Sequence, residues 1–95
     1  MNQKKKNLTL SAVSTRFKEK VIDKAEDYVP FGWECWIKPL EVTSFDGKII
    51  TLYHPEFPEE RFWIKEHYGK LILELLNEGV KDKIAIEFTN EVKLK

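Results

Sequence analysis

Between residues 10 and 28 the apolar positions Leu10, Val13, Phe17, Val21, Ala25 and Tyr28 recur at steps of three and four. That is the period of a helix with one buried face. Ser11 or Ser14 is placed to cap its start, and Pro30 and Gly32 punctuate its end. A second, shorter helix is expected over about 31–37, because Pro39 disfavours helical geometry at Lys38. The period then changes. Segments 40–45 and 48–54 are rich in β-branched and aromatic residues and read as strands. Asp46-Gly47 between them predicts a tight hairpin of type I′, with positive φ at both central residues. Pro58, Glu59 and Glu60 suit the first turn of a helix, and a third helix is predicted over 58–77. Its stripe is Ile64, Tyr68, Leu71, Ile72, Leu75 and Leu76. Burying six such side chains contributes on the order of 10 kcal/mol, against the entropy of ordering them. Gly79 is the expected C′ residue. Segment 83–89 alternates, with Ile84, Ile86 and Phe88 on one face, and reads as a third strand.

The order α-α-β-β-α-β predicts a two-layer α+β domain in which a three-stranded sheet is covered by helices. The domain is expected over 10–89, with tails at 1–9 and 90–95. A chain of 95 residues suits a single domain. Six Phe, three Trp and three Tyr allow one core to form without covalent staples. The single Cys35 excludes an intramolecular disulfide and a cysteine-rich structural zinc site. No apolar run approaches membrane-spanning length, and segment 1–6 has no apolar stretch of the signal-peptide kind. A soluble, cytoplasmic domain that meets no membrane is the expectation.

Net charge is zero but unevenly spread. Residues 1–24 carry seven Lys/Arg against Glu19 and Asp23, and the remainder carries nine against fourteen. A dedicated DNA binder concentrates basic charge on a face. Lys4, Lys5 and Lys6 are the candidate nucleic-acid contacts, with a solvated tail as the plainer reading.

Catalysis finds little support. Cys35 with His54 or His67 would be a nucleophile–base pair, but no motif places them together, and a cysteine flanked by buried-looking residues reads as inert. The two histidines lack further ligands at metal spacing, and no phosphate-binding glycine loop is present. No enzymatic activity and no cofactor are expected. Trp33 and Trp36, three apart beside Pro39, read as core rather than as a base-stacking pair. On the third helix Phe62, Trp63 and Leu73 lie off the main stripe. They are either covered by the Phe57 connection and the first two helices or exposed as a patch for a partner. Phe17 and Val21 lie on the first helix's buried stripe, and Ile22 points the other way.

Four segments then agree in order and spacing with one family. Trp36-Ile37-Lys38-Pro39-Leu40, the Asp-Gly hairpin, Leu52-Tyr53-His54-Pro55, and Trp63-Ile64-Lys65 with Tyr68 five residues after Trp63 resemble the N-terminal domain of the bacterial replication initiator DnaA. The resemblance covers about residues 13–89. It departs from the family's pattern at Glu56, where Asn usually follows the proline. It departs also in a connection from Pro55 to Trp63 one residue longer, and at Gly32, where an acidic helicase contact would stand.

The resemblance implies a KH-like fold and a protein–protein interaction module of DNA replication initiation. Such a module self-associates weakly and docks the replicative helicase or initiator-regulator proteins. By the resemblance, self-association falls on Phe17, nineteen residues before Trp36, with Val21 on the same stripe; from the sequence alone Ile22, on the opposite side of the helix, is the better candidate for an exposed contact. The partner-docking candidates are Gly32, Phe57, Phe62 and Leu73. Weak single-stranded DNA binding is the alternative, as is a free-standing regulator that mimics the initiator's domain.

Overall fold

The computed structural model describes residues 9–91. Helix α1 is continuous over 10–25: an α-helical part Leu10–Arg16, a wider part Phe17–Ile22 with i→i+5 hydrogen bonds, and a last part Asp23–Ala25. Thr9, not Ser11 or Ser14, caps it, its hydroxyl accepting from the Ala12 N–H at 3.0 Å. The wide part has a consequence for burial. Val13, Phe17, Val21 and Ala25 step by four, and on a 3.6-residue helix each such step drifts by about 40°. The wider turns take up that drift, so all four stay buried on one face. Leu10 and Tyr28, the expected ends of the stripe, are exposed.

Helix α2 runs from Pro30–Gly32 into a second i→i+5 segment, Trp33–Ile37, closed by the Lys38 N–H donating to Trp33 O at 2.8 Å. It is fastened to α1 by the Trp33 indole, whose Nε1–H donates to Ile22 O at 2.6 Å. Carbonyls in the last turn of a helix lack partners within it, and Trp33 supplies one.

Strands β1 (Glu41–Phe45) and β2 (Ile49–Tyr53) pair antiparallel, and β3 (Ala85–Thr89) joins β2 in parallel, giving the order β1-β2-β3. A parallel neighbour requires a crossover. It is supplied by helix α3, Arg61–Leu76, entered through the single turn Pro58–Glu60. The element order is the expected one, and the molecule is a two-layer α+β domain.

Two details of the hairpin differ from expectation. Its tip is Gly47-Lys48 rather than Asp46-Gly47. The Asp46 N–H donates to Ile49 O at 3.3 Å, while the Asp46 carboxylate accepts from the Lys48 and Ile49 N–H groups at 2.8 and 2.7 Å. Gly47 takes the positive φ of +101° that the turn requires. A bulge also interrupts β1 between Val42 and Ser44. Strict alternation would send Val42 and Phe45 to opposite faces. The extra residue, Thr43, lets both pack on the core.

Ile50 and Leu52 from β2 and Ile84 and Ile86 from the β3 side meet Ile72, Leu75 and Leu76 of α3 and the buried face of α1. The end of α3 is held from outside. Arg16 donates from Nε to Leu76 O and from Nη2 to Glu78 O, both at 3.1 Å, and the Asn77 amide pairs with both backbone groups of Ile84 at 2.9 and 2.7 Å. The helix ends one residue before the predicted Asn77, so Gly79, with φ +74°, stands one place beyond the expected C′ position. Among the described residues no helix is long and apolar enough to cross a membrane.

Candidate interaction face

The side chains that stand out are aromatic and come from three elements. Trp36 of α2 has its ring centroid 4.7 Å from that of Trp63 in the first turn of α3 and 5.4 Å from that of Phe57 in the β2–α3 connection. His67, one helical turn beyond Trp63, lies over the Trp63 ring at 4.0 Å and 21°, close to parallel. Its Nδ1 is 2.9 Å from Trp63 O. Tyr68 meets Trp63 edge-on at 6.0 Å. The tilted rings are within the range at which aromatic pairs attract.

This cluster is at the surface. Phe57 is 41% exposed and Trp63 39%; Phe62, next to Trp63 in the chain and 68% exposed, lies outside these ring contacts. Phe31 at the start of α2 is fully exposed. The Arg61 guanidinium lies 4.5 Å from the Phe62 ring centroid, within the range of a cation–π contact. Scattered exposed apolar residues are ordinary, but a set of large rings in mutual contact with water access is not.

Beneath the cluster is His54, 1% exposed. It continues the inward alternation of Ile50 and Leu52 one step past the end of β2. Its Nε2 is 2.7 Å from the Cys35 carbonyl oxygen, and its Nδ1 accepts from the Glu56 and Phe57 N–H groups at 3.2 and 3.0 Å. These partners require the tautomer with hydrogen on Nε2, donating to Cys35 O. The ring faces Trp36 at 5.8 Å and Phe57 at 5.4 Å. One buried imidazole therefore ties α2 to the β2–α3 connection and sets where Phe57 sits.

Several sequence expectations are corrected by this arrangement. Phe17 and Val21 are fully buried in the core and have no surface to offer a second copy. Ile22 is half-buried against the core, not turned away from it. Leu73 packs on the core and leaves the patch to Phe62. Trp36, expected inside, is half-buried, and Trp63 takes the exposed alternative; the rings around them are each other, Phe57 and His54 beside Trp36, and His67 and Tyr68 beside Trp63. Cys35 is exposed rather than enclosed. His54 meets its backbone carbonyl and His67 bonds Trp63 O, so no nucleophile–base pair forms with the thiol. Gly32 is where the backbone passes under Tyr68, and a Cβ there would overlap the tyrosine hydroxyl. Lys4, Lys5 and Lys6 lie outside the described residues.

The off-stripe position of Trp63 left cover and exposure both open, since periodicity reports a face and not what covers it. His54 was legible as the next inward position after Leu52. The segments that carry the rings hold mixed charge with an acidic excess: Glu34, Glu56, Glu59, Glu60 and Glu66 against Lys38, Arg61 and Lys65. Lys38 is drawn toward Trp33, 5.3 Å from its centroid.

Elsewhere an open groove beside the α3–β3 connection is lined by Arg16, Lys20, Phe45, Lys81, Asp82 and Ile84. Arg16 is already committed to the end of α3 there. Among the described residues no group of three His, Cys, Asp or Glu side chains is assembled to hold a metal, and every buried side-chain polar atom has a partner. No protein-family model matches the chain, and no solved structure matches it significantly.

Proposed function

We propose that this chain is a protein–protein interaction module of DNA replication initiation, similar to the N-terminal domain of DnaA. In this reading it docks a replicative helicase or an initiator regulator on the aromatic face. The observation that carries the proposal is the exposed set Phe57, Phe62 and Trp63, with Trp36 behind it. Large rings at the centre of a patch with a charged rim are the composition of protein-binding surfaces. Two of the elements that present them, α2 and the start of α3, also carry segments of the resemblance, whereas the β2–α3 connection that holds Phe57 departs from it. Self-association belongs to the same proposal, with exposed Phe31 and Phe62 in place of Phe17 and Val21.

The rings would also suit base stacking. The acidic flank of Glu56, Glu59 and Glu60 repels a phosphate backbone, which favours a protein partner. A free-standing regulator that competes with an initiator would use the same face, so the two biological settings share one test. Calorimetric titration of the chain into a bacterial replicative helicase is expected to give binding that Phe62→Ser and Phe57→Ala each weaken by about tenfold or more. Unchanged binding in both variants, or binding to single-stranded DNA alone, would overturn the proposal.

A further inference from the structure

We infer that His54 is a positioning residue that makes the geometry of the aromatic face depend on protonation. Its consequence for partners rests on the docking reading above, whereas its test does not involve a partner.

Three observations carry it. The ring is buried, both nitrogens are committed, and the commitments are asymmetric. Nε2–H donates to Cys35 O, while the Nδ1 lone pair receives the Glu56 and Phe57 N–H groups. A proton added to His54 must go to Nδ1, since Nε2 already carries one. That turns the acceptor of two N–H groups into a donor facing two donors, and both bonds are lost. The Glu56 and Phe57 amides must then find water or another acceptor, so the connection moves and Phe57 leaves its place against Trp36.

The surroundings do not offer the imidazolium a counter-charge. The titratable or charged side chains on the adjoining elements are Glu34, Cys35 and Lys38 on α2, Tyr53 and Glu56 beside His54, and Glu59, Glu60, Arg61 and His67 on the entry to α3. All are exposed except half-buried Tyr53 and Arg61. Among the described residues none of these side chains hydrogen-bonds the ring. Trp36 and Phe57 are the rings packed on it. A proton on this ring would act through the two amide bonds at Nδ1 rather than through a salt bridge.

The experiment is an NMR titration of the isotopically labelled full chain from about pH 8 to pH 4.5, the range in which histidine changes charge. It follows the His54 ring, the Glu56 and Phe57 amides, and the Leu52 amide as a reference in the sheet. The amides of Glu56 and Phe57 are expected to shift with the same midpoint as the His54 ring. Their exchange protection should fall by about tenfold or more, the equivalent of one lost hydrogen bond, with Leu52 unchanged. His54→Asn keeps an acceptor near the Nδ1 position without a titrating group, so its Glu56 and Phe57 amides should be flat over the range. Ring titration with those amides unmoved would overturn the inference. So would loss of Leu52 protection in the same step, a ring that does not titrate before the domain unfolds, or an unchanged response in a folded His54→Asn. Where that variant does not fold, the coincidence of ring and amide midpoints in the native chain decides alone.

Discussion

The Tyr68 hydroxyl fills the space in which any residue other than glycine at position 32 would carry its Cβ. The backbone at Gly32 is itself ordinary, with φ −98° and ψ −10°, so the requirement is for room and not for an unusual conformation. Gly32→Ala is predicted to destabilise the domain by about 1–3 kcal/mol through overpacking, measured by urea unfolding. Tyr68→Phe in the same chain should recover part of that loss. Additive effects of the two substitutions would show that they do not meet. Gly32→Glu meets the same obstacle, since its Cβ cannot be placed without displacing Tyr68.

Arg16 reaches from α1 to the last carbonyls of α3, where a cation is favoured by the helix dipole. Arg16→Ala is predicted to cost about 1–2 kcal/mol. Arg16→Lys should recover less than half, because one ammonium does not reproduce a two-nitrogen fork. Thermal unfolding of the three chains in parallel checks the ranking.

Hydrogen bonds from the Ile49 and then the Lys48 backbone N–H hold the Asp46 carboxyl below its ordinary value of 3.8. A carboxyl with a lowered value in the folded state contributes stability that is present above the unfolded value and lost as pH falls through the folded one. The stability difference between the native chain and Asp46→Asn should therefore be constant from neutral pH down to about 4 and shrink below it. A difference that stays constant to about pH 3 would contradict the assignment of this carboxylate to the hairpin.

Phe31 and Phe62 are in water, so their removal should leave the fold intact. Phe31→Ser and Phe62→Ser are each expected to change stability by less than about 0.5 kcal/mol. By contrast Ile72→Ala, in the core beside Phe17, should cost about 2–5 kcal/mol. A large loss of stability at Phe62 would mean that the patch is structural.

Much of the architecture is readable from period and punctuation. The step-of-four series Val13, Phe17, Val21, Ala25, the change to period two after Leu40, and Pro58 before a long apolar stripe place all six elements in order. What was not readable lies at points where one element decides another's environment. The i→i+5 turns of α1 and α2 leave no signature in residue type. The bulge at Thr43 is needed only because both Val42 and Phe45 face the core. The turn shifts by one because Asp46 closes it from the strand end, its side chain as well as its backbone N–H bonding across to the Lys48–Ile49 side. Burial on α3 stays open in the sequence at Phe62, Trp63 and Leu73 for one reason: a helical wheel gives angles, while the covering elements decide which angles are wet. The aromatic face was only half legible, its α3 members from the surplus of apolar surface and its Trp36 member not at all.

The central claim is that Trp36, Phe57, Phe62 and Trp63 form the docking face, and its most direct test is residue-resolved. In an NMR titration of the labelled chain with a bacterial replicative helicase, shift changes and line broadening are predicted to concentrate on these four residues and on Phe31 and His67. Perturbations confined to the groove around Arg16, Lys20 and Lys81, or none at saturating partner, would contradict it.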